Sequence, residues 1–145
     1  MKATCLPQQF IICFARCNQC QPLYNNKPYR DGDGSNEYPC KRCECHDHAD
    51  SCVYDVTFDP FPNSHDQGGG GVCQNCRHNT QGQRCDECVA NFFRPVDRDM
   101  RAENVCEACA CFAPGTLTSA GPCEPVGGQC LCRSNVEGVY TTFSR

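Results

Sequence analysis

The sequence predicts a small, disulfide-rich fold of short β-hairpins and long loops. Three observations carry that expectation: the density of cysteine, the shortage of other apolar residues, and a cysteine spacing that recurs along the chain. Eighteen of the 145 residues are cysteine, past the level that marks a disulfide scaffold. With cysteine set aside, roughly a quarter of the chain is apolar, below the usage of ordinary globular domains. There are 12 Gly, 10 Pro and no Trp. Such a chain cannot bury one large core and needs covalent staples to fold.

The charge is mild. Thirteen basic and 17 acidic residues give a net charge of −4, and they are spread along the chain. No basic block points to nucleic acid. No apolar run approaches the ~18 residues of a membrane span. Near the N-terminus the apolar patch Phe10–Ala15 is cut off by Pro7-Gln8-Gln9, so no secretory signal is read there.

The cysteines stand at 5, 13, 17, 20, 40, 43, 45, 52, 73, 76, 85, 88, 106, 109, 111, 123, 130 and 132. Cys40-Lys-Arg-Cys43-Glu-Cys45 recurs further on as Cys106-Glu-Ala-Cys109-Ala-Cys111. Cys17-Asn-Gln-Cys20 recurs at nearly the same offset as Cys85-Asp-Glu-Cys88, each followed by aromatic residues (Tyr24; Phe92 and Phe93). Cys76-Arg-His-Asn79 pairs likewise with Cys132-Arg-Ser-Asn135. One repeating unit of roughly 60 residues, read in three phases, accounts for all of these. Eight cysteines in a unit allow 105 connectivities, and spacing alone does not choose among them.

One copy is complete and holds Cys43, Cys45, Cys52, Cys73, Cys76, Cys85, Cys88 and Cys106. Its pattern, C-x-C, C, C-x-x-C, C-x-x-C and a closing C, resembles the laminin-type EGF-like module. Laminin short arms, netrins and usherin-like proteins carry tandem arrays of that module. The likeness extends to Cys76-x-His78-Asn79-Thr80-x-Gly82 and to the Gly68–Gly71 run before Val72-Cys73. The resemblance implies first-to-third, second-to-fourth, fifth-to-sixth and seventh-to-eighth pairing. Carried over, that is Cys43–Cys52, Cys45–Cys73, Cys76–Cys85 and Cys88–Cys106, with Cys109–Cys123 and Cys111–Cys130 in the next copy and Cys20–Cys40 in the preceding one. Gly82 is expected at the tip of the Cys76–Cys85 loop in a left-handed backbone.

On this reading the chain divides into a non-repeat segment 1–16, a partial module 17–42, a complete module 43–108, a partial module 109–138 and a non-repeat tail 139–145. The module pattern breaks at Gln8 and at Thr141, where cysteines are expected. The ends therefore look like material appended to a truncated fragment or isoform of a longer product. Cys5, Cys13, Cys17 and Cys132 are left without family partners; Cys17 could take Cys13 or Cys5, and Cys132 is expected as a thiol or an intermolecular link.

Other motifs are weaker. The C-x-x-C pairs and His46, His48, His65 and His78 resemble zinc spacings, which keeps an intracellular zinc-binding interaction domain as the alternative reading. Against it stand the C-x-C pairs and the match to a disulfide module. His46-Asp47-His48-Ala49-Asp50 reads as an ordinary polar loop. Asp31-Gly-Asp33-Gly-Ser35-Asn36-Glu37 starts like a calcium loop but lacks Gly and Glu where one needs them. No metal, cofactor or catalytic residue is assigned, and no enzyme activity is expected.

Val53 to Pro62 alternates Val, Tyr, Val and Phe, as a short strand would. Its aromatic residues are expected to pack on the disulfides. If any surface meets a partner, it is this loop, with Tyr54, Phe58 and Phe61 as candidate contacts. The resemblance implies a secreted, extracellular-matrix or cell-adhesion module: one complete and two partial repeats in a rod-like line, serving as a rigid spacer whose partners are matrix or cell-surface proteins. A truncated product without independent function is the further alternative.

Overall fold

The computed structural model describes residues 19–30, 40–117 and 123–137. The expectations for segments 1–16 and 139–145, for Cys5, Cys13 and Cys17, and for the acidic stretch 31–37 lie outside the described residues. Among the described residues there is no α-helix. Three two-stranded antiparallel sheets form the regular structure: β1 (Ser51–Tyr54) with β2 (Gly71–Gln74), β3 (Thr80–Gln81) with β4 (Glu87–Cys88), and β5 (Phe92–Phe93) with β6 (Glu107–Ala108). No described helix is long and apolar enough to cross a membrane.

The chain forms two compact units, one through Asn75 and one from Cys76. The boundary lies inside the eight-cysteine repeat, between its fourth and fifth cysteines, rather than at a repeat junction. In the first unit the core is sulfur: Cys20, Cys40, Cys43, Cys45, Cys52 and Cys73 are all buried. Cys52 and Cys73 face each other across β1 and β2, yet each is bonded to the segment beneath, in Cys43–Cys52 and Cys45–Cys73. The two strands are thereby clamped onto Cys43–Cys45, which is how a four-residue ladder persists when isolated hairpins are marginal. Cys20–Cys40 closes the loop ahead of it.

The turn after Cys45 differs from a plain polar loop. His46 and Asp47 adopt left-handed backbone, with φ of 51° and 63°, and His48 and Ala49 are folded into the interior.

The second unit holds Cys76–Cys85, Cys88–Cys106, Cys109–Cys123 and Cys111–Cys130. Its core is Phe93 and Val105 among Cys85, Cys106 and Cys130. Gly82 has φ of 91°, and its carbonyl accepts from the Cys85 amide at 3.3 Å. Asn79 and Asn135 occupy the same place in successive repeats and the same left-handed conformation, at φ 60° and 64°, which asparagine tolerates better than most residues.

Candidate functional site

Two features stand out: the junctions where one repeat meets the next, and the long loop from β1 to β2. The junctions are built by backbone groups. At the first, the Cys43 amide donates to the Leu23 carbonyl at 2.9 Å, and the Gly70 amide to the Asn26 carbonyl at 3.0 Å. At the second, the Cys109 amide donates to the Asn91 carbonyl at 2.8 Å, and the Gly127 amide to the Arg94 carbonyl at 2.8 Å. Leu23 and Asn26 hold the same places after Cys20 as Asn91 and Arg94 hold after Cys88. The same pair of bonds therefore recurs. Each repeat receives the closing loop of its predecessor through the amide of its first cysteine and the amide of a glycine.

A second glycine lets the loop approach. A Cβ on Gly128 would lie 2.7 Å from the Phe93 ring, and Phe93 is only 2% exposed. The equivalent Gly71 lies against the Cys43 sulfur and Asn26, while its amide donates to Asn26 Oδ1 at 2.9 Å. Any larger residue would push the preceding loop away. Each junction thus lies within one compact unit.

The β1–β2 loop is organised around one carboxylate. The strand expected across Val53–Pro62 stops at Tyr54, because Asp55 caps a 3₁₀ turn over Val56–Phe58; its Oδ1 accepts from the Thr57 amide at 2.9 Å and hydroxyl at 2.7 Å. Those bonds hold the Asp55 carboxyl below its ordinary range. Asp59 follows, with its side chain buried. Its Oδ2 accepts from Lys27 Nζ at 2.5 Å and the Tyr54 hydroxyl at 2.9 Å. Its Oδ1 accepts from the amides of Phe61 at 3.0 Å and Gly69 at 3.1 Å. Burial alone would raise this carboxyl. The hydrogen bonds from Lys27, the Phe61 amide and Tyr54, with the Lys27 charge, outweigh it and hold the pKa down to about 2.

Of the candidate contact residues, Tyr54 is half-buried and tied to Asp59, and burial together with the neighbouring carboxylates raises its phenol. Phe58 and Phe61, expected to pack on the disulfides, are instead half-exposed, at 50% and 51%. Val53, Val56 and Phe58, with Asp55 and Val72, line a shallow groove on this face. Lys27 was not singled out by the sequence. It is remote from Asp59 along the chain, in a different repeat, and no local pattern marks it.

The fourteen cysteines assigned to bridges by resemblance lie in the seven bonds given above. A bridged sulfur is not the thiolate that zinc requires, and no cluster of His, Cys, Asp or Glu that could hold a metal occurs among the described residues. Cys132 lies outside these seven bonds; it is half-buried, with Sγ 3.7 Å from the Cys130 carbonyl.

Comparison with known proteins agrees with this architecture. The laminin EGF domain family matches residues 43–106 and 109–140. Usherin of Mus musculus is 46% identical over 137 residues, 94% of this chain. Netrin-4 of Mus musculus is 38% identical over 132 residues, and laminin subunit beta-1 of Mus musculus 37% over 131, covering 87% and 84% of the chain. The chain spans 3%, 20% and 7% of the length of these three relatives. Disulfide-dense modules of this kind belong to oxidising, extracellular surroundings. This chain belongs to the laminin EGF domain family, as a tandem, disulfide-rich extracellular matrix module.

Proposed function

We propose that the chain is a stiff spacer segment of an extracellular protein, with the β1–β2 loop as its protein-contact surface. The observation that carries the first half is the recurrence of the junction: two backbone hydrogen bonds and a close-packed glycine, repeated at the same positions in successive repeats. A joint made this way leaves little freedom between the closing loop of one repeat and the first half of the next. The division into repeats at 17–42, 43–108 and 109–138 goes with this reading. Phe58 and Phe61 support the second half, since a loop that keeps two aromatic rings half-exposed on an ordered frame suits recognition. The partners are matrix or cell-surface proteins, and no catalytic role is assigned.

Residual dipolar couplings measured on the oxidised protein test the spacer. Amides of 20–27 should fit one alignment tensor together with those of 43–73, and amides of 88–106 one tensor together with those of 109–117 and 123–132. A need to split either set at Cys43 or Cys109 would overturn the reading.

A further inference from the structure

We infer that the β1–β2 loop takes its shape from the preceding repeat: Lys27 and Lys41 hold it from outside, so the surface carrying Phe58 and Phe61 is a composite of two repeats. Regulation of the loop by its neighbour rests on the proposed role of that loop as a contact surface, but the coupling is tested without any partner.

Lys27 is 1% exposed. Its ammonium donates to Asp59 Oδ2 at 2.5 Å and to the Phe61 carbonyl at 2.8 Å. Through Asp59 it reaches Tyr54 at the end of β1, Phe61 in the middle of the loop, and Gly69 just before β2. One carboxylate gathers both limbs of the loop, and the Lys27 ammonium beside it offsets the cost of burying its charge. Lys41, in the stretch between Cys40 and Cys43, caps the returning limb: its Nζ donates to the Gly68 carbonyl at 2.8 Å and the Asp66 carbonyl at 3.3 Å. Asn26 completes the hold at Gly70 and Gly71.

The arrangement is particular to this repeat. The interval from Cys52 to Cys73 is far longer than the corresponding one from Cys123 to Cys130. The long insertion has no apolar core of its own, so it borrows its anchor from the neighbour. Its frame (β1, β2, Cys43–Cys52 and Cys45–Cys73) does not depend on Lys27. Loss of Lys27 should therefore loosen the loop and spare the frame.

The test is amide hydrogen exchange on the full chain with its disulfides intact, comparing Lys27→Met with the wild type. An unneutralised buried carboxylate should raise exchange at Phe61 and Gly69 by about tenfold or more, with the Cys43 and Cys52 amides unchanged. The double variant Lys27→Met/Asp59→Asn, in which no buried charge is left to compensate, should regain part of the protection. Unchanged exchange at Phe61 and Gly69 would overturn the proposal. So would a uniform rise across β1, β2 and the loop, which would make Lys27 a general stabiliser. Should Lys27→Met fail to fold, Lys41→Met decides at the Gly69 amide, next to the Gly68 carbonyl that Lys41 holds: a rise confined to the loop supports the coupling, and no rise refutes it. A failed spacer would show instead at the Cys43 and Cys109 amides, which this experiment also reads.

Discussion

Replacing Gly128 by alanine should break the second junction, and the size of the effect follows from the structure. The added Cβ would sit 2.7 Å from two atoms of the Phe93 ring and 2.8 Å from a third. Carbon pairs rest at about 3.5–4.0 Å, so the overlap is severe at three atoms, and the buried ring has nowhere to go. Overpacking of this kind costs about 1–3 kcal/mol. The backbone adds to it, because Gly128 has φ of 75° and a left-handed alanine costs roughly 1–2 kcal/mol. Gly128→Ala should thus destabilise the junction by about 2–5 kcal/mol.

A double-mutant cycle separates the two parts. Phe93→Ala alone removes a buried ring, at about 3–5 kcal/mol. In that background Gly128→Ala meets no ring, and only the backbone part, about 1–2 kcal/mol, remains. The cycle should therefore return a coupling of about 1–3 kcal/mol. Exchange of the Arg94 and Gly127 amides, which donate across the junction to Pro125 and Arg94, gives the opening free energies. Effects that add to within about 0.5 kcal/mol would refute the packing argument.

Other expectations follow from the same geometry. The pKa of Asp59 is depressed in the folded chain, so its contribution is complete above the ordinary carboxylate pKa of about 3.9 and is lost as pH falls through the folded value of about 2. Loop protection at Gly69 should hold from neutral pH to about 4 and then decline; a decline centred near pH 6 would contradict the assignment. Replacing both members of Cys88–Cys106, whose sequence separation is 18, should cost about 3 kcal/mol on the chain-entropy estimate, measured as a lowered guanidinium midpoint. Arg98 pairs with Glu107 at 2.7 Å at a half-exposed site, so Glu107→Gln should cost no more than about 1 kcal/mol; a larger loss would show that this pair matters more than its exposure allows.

The parts legible in the sequence were those written in covalent chemistry. A bridge demands two cysteines, so a repeating pattern of bridges leaves a repeating pattern of cysteines, and the repeat could be read directly from their spacing. The junctions left almost no trace. They use the amides of Cys43, Gly70, Cys109 and Gly127, and an amide is present at nearly every residue. The absent side chains of Gly71 and Gly128 are their only mark, and glycine equally signals a turn. Lys27 was invisible for another reason: a lysine between Cys20 and Cys40 reads as a surface charge until the loop carrying Asp59 closes over it. The alternation at Val53–Phe58 suggested a longer strand, but Asp55 captured Thr57 and ended it. His48, in the polar run His46-Asp47-His48-Ala49-Asp50, gave no sign that it would be interior.

The central claim is that the seven disulfides among the described residues, in the laminin-EGF arrangement, hold this fold together. The direct measurement is peptide mapping of the non-reduced, alkylated protein by mass spectrometry, beside a chelator-treated sample. Linked peptides are expected for Cys20–Cys40, Cys43–Cys52, Cys45–Cys73, Cys76–Cys85, Cys88–Cys106, Cys109–Cys123 and Cys111–Cys130, with no metal released. Alkylation of nearly all eighteen cysteines, with zinc freed by the chelator, would contradict it.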